Sequence, residues 1–213
     1  MLFIQPFVFN PFQENTYLLT NEHKECWIID PGMYNAQESS QFLDFITTNQ
    51  LKPQAIINTH THIDHIFGVQ GLIDKYNIPF GIHQLDTPVL NNAAGAAMMF
   101  GFDLKKAPAP SFFIKENEPL LLGEDILEVR FVPGHSPGSI AFYNAAGRWA
   151  ISGDVIFQQS IGRTDLPGGS FDTLINSIRT QLFTLPDETT IHSGHGAATT
   201  IGVEKRSNPF LTQ

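Results

Sequence analysis

The chain has 213 residues, 42% of them hydrophobic, and a formal net charge of −9, so we expect residues 1–213 to form one large domain with its own core. No apolar run reaches the width of a bilayer, which excludes a membrane-spanning chain. The acidic balance, with no Lys/Arg cluster to offset it, argues against a nucleic-acid partner. The predicted elements begin with strands at "LFIQPFVF", "NTYLLT" and "CWIID". The first of these lacks a basic leader and contains Pro6, so it reads as a strand and not as a secretion signal. "AQESSQFLDFITTNQ" carries Phe42, Phe45 and Ile46 at helical spacing and stops before Pro53. A strand "QAIINT", a helix "FGVQGLIDKY" and a short apolar run "IPFGI" follow. After an irregular middle come strands "ILEVRFV", "SIAFYN" and "RWAIS", a helix "FDTLINSIRTQLFTL" and a last strand "ETTIHS". Strands dominate both halves and helices separate them, which predicts an α/β sandwich of two sheets with helices outside.

Cys26 is the only cysteine, so no intramolecular disulfide can form, and a reducing cytoplasm is the expected compartment. Five apolar runs end in a polar residue: Asp30, His60, His135, Asp154 and His195. Gly or Pro sits beside most of them, as a sharp turn after a strand requires. If those strand ends share an edge, their side chains converge.

The densest signal is "NTHTHIDH", with His60, His62, Asp64 and His65 inside six residues. On an extended segment His60 and His62 project to one side, and Asp64 and His65 follow as the chain turns away. Imidazole and carboxylate donors without thiolate suit zinc, iron or manganese. A solvated loop gives no reason for such density, whereas His23 and His83, each alone, read as ordinary hydrogen-bonded residues.

"THTHIDH", with His135 in "PGHS", Asp154 in "SGD" and His195 in "SGHG", resembles the ligand signature of the metallo-β-lactamase superfamily, in the family's order and over nearly the whole chain. "GDVIFQQSIGRTDLPGGS" and "SGHGAATTIGVEKRSNPF" are most similar to the short bacterial hydrolases related to glyoxalase II. The resemblance implies an αββα sandwich with a dinuclear site at one sheet edge. It gives His60, His62 and His135 to one divalent ion and Asp64, His65 and His195 to the other, zinc first, with Asp154 bridging. It assigns Asp30 to support from behind the ligands, where the residue reads equally as a turn former before Pro31-Gly32. It assigns Arg163 to a contact with the thiol carrier, where the residue reads equally as a salt bridge within its own loop to Asp165. Asp165 stands where those enzymes have a tyrosine, and the helical C-terminal domain of the longer enzymes is not expected here, so glutathione itself is not implied.

Two divalent ions, five neutral imidazoles and two carboxylates sum to about +2, and a hydroxide held between the metals lowers that to about +1. Such a site ionises water near neutral pH and stabilises an oxyanion. A thiolate with a pKa of about 8.5 leaves without a strong general acid. The expected function is therefore hydrolysis of a small-molecule acyl thioester. A mononuclear-iron persulfide dioxygenase, using the equivalents of His60, His135 and Asp154, is the rival enzyme; a non-catalytic metal-binding protein is the rival outside enzymology. No secretion signal supports a β-lactamase. One segment stays open: "NNAAGAAMMFGFDL", Asn91 to Leu104, reads either as a buried helix turning at Gly101, or as a flap whose Met and Phe side chains line an acyl pocket.

Overall fold

Alternation along the strands builds three apolar layers. In the computed structural model, which describes residues 1–104 and 106–212, Trp27 and Ile29 face one layer while Ile28 between them faces another. Ala55 and Ile57 against Ile56, and Ile140 and Phe142 against Ala141 and Tyr143, divide in the same way.

The first sheet runs β1 (Phe3–Phe9), β2 (Glu14–Thr20), β3 (Glu25–Ile29), β4 (Lys52–Ile57), β5 (Phe80–His83) and β6 (Phe112–Ile114), in that spatial order. Pairing is antiparallel as far as β3 and parallel from there on. The parallel crossovers carry α1 (Ala36–Thr48), α2 (Val69–Tyr76), α3 (Thr87–Asn91) and α4 (Ala93–Met99). The second sheet contains β7 (Leu120–Leu122), β8 (Asp125–Phe131), β9 (Ile140–Asn144) and β10 (Trp149–Gly153). A small hairpin of β11 (Ile156–Phe157) and β12 (Ser160–Ile161) precedes α5 (Phe171–Ser177), and β13 (Thr190–Ser193), β14 (Thr199–Thr200) and α6 (Ile201–Ser207) close the chain. Its strand order is β14-β13-β10-β9-β8-β7, with β10 and β13 parallel. The two sheets face each other across one layer and carry helices on their outer faces, as the αββα expectation requires. No helix among the described residues is long and apolar enough to cross a membrane.

Local chemistry accounts for the helices. The Asn35 side chain accepts from Glu38 N at 2.9 Å and starts α1, whose Phe42 and Ile46 are buried on the first sheet. The helix predicted over residues 171–185 is α only as far as Ser177. It then widens, with Phe183 N donating to Ile178 O, five residues back. The irregular middle contains α3, β6 and β7, which the hydrophobic pattern did not reveal, and α4, which lies in the segment read as either a helix or a flap. Each is seven residues or shorter, and β6 and β7 are sheet edges whose pairing is set by tertiary contact.

Candidate metal centre

The polar residues that end the apolar strands do converge. Parallel β3 and β4 deliver Asp30 and His60 to one edge of the first sheet; β8, β10 and β13 deliver His135, Asp154 and His195 to the facing edge of the second. After His60 the chain turns through a 3₁₀ turn, Ile63–His65, which brings Asp64 and His65 back over the strand ends. Asn58 pins that turn by donating to His65 O at 2.7 Å. Gly153 has φ +53°, where a side chain is strained and a Cβ would press on Thr59. A Cβ at Gly194 would run into the Asp154 carboxylate.

Two donor sets result. One nitrogen each from His60, His62 and His135 lie within 4.8 Å of one another, and so do the donor atoms of Asp64, His65 and His195. Asp154 lies between the sets: Oδ1 is 3.5 Å from His65 Nε2, and Oδ2 is 3.6 Å from His135 Nε2 and 3.5 Å from His195 Nε2. All seven residues singled out from the sequence as ligands are therefore brought together.

The outward nitrogens fix the tautomers. His135 Nδ1 faces the Arg163 carbonyl at 2.8 Å and His195 Nδ1 faces the Phe12 carbonyl at 3.0 Å, and a carbonyl only accepts. His65 Nδ1 donates to Asp30 Oδ2 at 3.1 Å. The Thr59 hydroxyl gives its proton to Asp30 Oδ2 at 2.6 Å, so it accepts from His60 Nδ1 at 3.1 Å. Each of these four rings thus carries its proton on the outer nitrogen and turns a bare lone pair inward.

Those lone pairs face one another. His60 Nε2 and His135 Nε2 are 3.2 Å apart, and His62 Nδ1 is 2.8 Å from the same His135 nitrogen. A proton on His62 can satisfy only one of these contacts. His65 Nε2 and Asp154 Oδ1 are buried without a hydrogen-bond partner among the described residues. Lone pairs and carboxylates packed in this way fit cations at both positions. A third grouping, Asp30 with His60 and His65, is instead a hydrogen-bond cluster, since the Asp30 oxygens already accept from Thr59 N, the Thr59 hydroxyl and His65.

Electrostatics agree with neutral donors in the first set. Burial, reinforced by the neighbouring imidazoles, holds His60 well below the usual histidine range and brings His62 down to about 3. In the second set burial would also lower His65, but Asp64 and Asp154 outweigh it and raise it: the carboxylates around that nitrogen favour positive charge at this position.

Asp30 sits directly behind His65 and His60. Arg163 lines the cavity beside the centre, but its guanidinium is held by Asp165 in two contacts of 2.7 Å; the group that reaches His135 is its carbonyl. His192 lies apart from both donor sets, with its ring 5.6 Å from that of Tyr17. Within the Asn91–Leu104 segment the helix α4 covers Ala93–Met99, and the chain then turns at Gly101, which has φ +78°. Ala93 and Ala97 are buried in the apolar layer outside the first sheet, Ala96 and Phe100 line the cavity, and Met98 and Met99 point to solvent.

Three supporting residues were missed from the sequence. Asp86 is fully buried and accepts from the Thr61 hydroxyl at 2.7 Å, from Gly138 N at 2.9 Å and from the Ser136 hydroxyl, tying the His60–His62 loop to the His135 loop. Glu14 is a buried acid, pushed well above the usual carboxylate range by burial, with Oε1 3.8 Å from His65 Nδ1. The Tyr17 hydroxyl donates to Ser193 O at 2.6 Å and so anchors the strand that leads to His195 from the opposite sheet. An Asp before Thr-Pro, a Glu in a strand and a strand Tyr carry no signal without their partners.

A family model described as the metallo-beta-lactamase superfamily matches residues 9–195. The hydroxyacylglutathione hydrolase GloC of Haemophilus influenzae is 39% identical over 202 residues, covering 94% of this chain and 93% of that protein. The crystal structure of BLEG-1 B3 metallo-beta-lactamase superposes with a TM-score of 0.91 at 38% identity, over 99% of this chain and 100% of that one. The structure of TTHA1623 in a di-iron-bound form superposes with a TM-score of 0.88 at 40% identity, over 97% and 100%. With its sandwich, its strand-end His/Asp clusters and this match over most of its length, the chain belongs to the metallo-beta-lactamase superfamily of divalent-metal-binding proteins.

Proposed function

We propose that this protein is a metal-dependent hydrolase of the glyoxalase II kind, acting on a small-molecule acyl thioester. In this reading His60, His62 and His135 hold one divalent ion, Asp64, His65 and His195 hold the second, and Asp154 is shared. The observation that carries it is the inward set of lone pairs, fixed by hydrogen-bond acceptors on the far side of four rings. The relative named as a hydroxyacylglutathione hydrolase supports the choice of bond.

Two divalent ions supply a water acidic enough to ionise near neutral pH and a Lewis acid for a carbonyl oxygen. The chain's own residues do the rest. Asp30, Thr59 and the carbonyls of Phe12 and Arg163 keep the donor nitrogens aimed inward, so no reorganisation is needed when charge develops. Apolar walls around the centre exclude bulk water and strengthen its electrostatics. Among the described residues the lining offers no acid beyond the proposed ligands, with Asn92 and Arg163 as polar neighbours. That suits a thiolate, which leaves unprotonated, better than an amine, which needs a proton.

The likeness to BLEG-1 supports β-lactam hydrolysis as the second reading. The di-iron form of TTHA1623 keeps iron beside zinc as the metal, and the nitrogen and oxygen donors suit both. One preparation tests all of this: elemental analysis of the natively purified protein, with rates on thioesters, lactones, β-lactams and phosphodiesters and oxygen uptake on a persulfide. Two ions per chain with thioesters turned over fastest is the expected result. One iron with oxygen uptake would replace the reading with a dioxygenase, and fastest turnover of β-lactams would replace it with the second.

A further inference from the structure

A cavity of about 450 Å³ opens over the metal-site residues. Carbon dominates its walls: Phe12 from the turn after β1, Ile63, Val89 on α3, Ala96 on α4, Phe100 at its C-cap, and Leu166 ahead of α5. Ala96 on α4 and Phe100 at its C-cap are four residues apart and face the cavity together, while Ala93 and Ala97, equally spaced, are buried in the apolar layer outside the first sheet, beside the Ile63–His65 turn. Phe100 meets Phe12 edge to face at 6.0 Å, and Phe12 rests on Phe102 at 5.1 Å, which fixes the upper rim. The wall is therefore a built surface. Among the described residues the cavity is lined by one Lys or Arg side chain, Arg163, and its charge is committed to Asp165 through two contacts of 2.7 Å.

From this lining we infer that the cavity is an acyl chamber. It selects thioesters by the apolar bulk of the acyl group, a medium-length chain or an aromatic ring, and not by the charge of the thiol carrier. The inference deepens the thioesterase reading and rests on it for the reacting bond. Water oxygen bonds to the acyl carbon, the carbon–sulfur bond breaks, sulfur leaves as thiolate, the acyl group leaves as carboxylate, and both protons of the water are released to solvent. The acyl group lies against Ala96 and Phe100 throughout, so its apolar surface is buried in substrate and product alike.

The test is calorimetric binding of straight-chain carboxylates, acetate to decanoate, to the metal-loaded protein. Each added methylene should lower Kd by about three- to fourfold until the chamber is full. Ala96→Phe, which fills the chamber, should reduce the octanoate-to-acetate affinity ratio by at least about tenfold; Phe100→Ala, which removes wall, should reduce it as well. A Kd that does not change along the series, or ratios unchanged in both folded variants, overturns the proposal. With thioesters, octanoyl groups on glutathione and on neutral N-acetylcysteamine should differ by less than about threefold in kcat/KM. A hundredfold preference for glutathione overturns the independence from carrier charge. Carboxylate affinities that rise with length in a protein that cleaves no thioester would leave the chamber standing and remove the thioesterase. Thioester cleavage with no length dependence would do the reverse.

Discussion

Asp154 and Asp86 act on the site in different ways, and substitution should separate them. Asp154 presents oxygens to three imidazoles from both donor sets. Asp154→Ala should take metal content from two ions per chain to one or fewer, with hydrolysis falling at least about a hundredfold. Full content and rate would show that it does not bridge. Asp86 touches no proposed ligand side chain, yet it binds the loops on either side of the cavity. Asp86→Asn should weaken metal binding by about 10- to 100-fold, the range seen when an orienting partner is lost, as read by titration against a chelating dye with the circular dichroism spectrum unchanged. Cys26 gives a pH test away from the site. Burial pushes its thiol up to about 12, so above about pH 8.5 the unfolded chain ionises and the folded chain does not. The unfolded state then binds fewer protons, and this group's contribution to stability falls by up to about 1.4 kcal/mol per pH unit between about 8.5 and 12. Denaturant melts at pH 7.5 and 9.5 should show this loss in the wild type and not in Cys26→Ala.

At the scale of elements, the two faces of α4 explain why its sequence showed no single apolar stripe. One face is buried in the apolar layer outside the first sheet and another lines a cavity, so apolar residues lie on more than one side of the helix. Phe100 and Phe42 should therefore respond differently to truncation. Phe42 is fully buried between α1 and β1, with its ring 5.0 Å from Phe7, and Phe42→Ala should cost about 3–5 kcal/mol. Phe100 is 49% exposed, and Phe100→Ala should cost less than about 1 kcal/mol by the same melts. A large loss at Phe100 would return the segment to the core.

Across the whole molecule, the proposed centre joins strand ends of both sheets, β4 and the turn after it on one side and β8, β10 and β13 on the other. Ligands that bind only the folded state stabilise it by about 4 kcal/mol at a thousandfold excess over Kd. In a chain of this size that is about 8–16 °C in Tm. Chelation should lower Tm by that order, and added zinc should restore it. A Tm indifferent to chelator would mean that the sheets hold together without the ions.

The residues most legible in the sequence are those whose spacing is itself the chemistry. His60, His62, Asp64 and His65 lie close enough along the chain for their convergence to be local. The Gly and Pro residues beside Asp30, His135, Asp154 and His195 mark where strands stop. The two sheets followed from strand runs long enough to alternate, and α1 from its apolar spacing and the proline beyond it. Tertiary structure alone decided the roles of Asp86, Glu14 and Tyr17, because each acts on a segment 25 to 176 residues away, and between the two readings of Arg163 it chose the pairing of the guanidinium with Asp165. It also decided which ring nitrogen carries each proton. A tautomer depends on a single carbonyl or carboxylate brought up from a distant strand, and no periodicity along the chain records that approach.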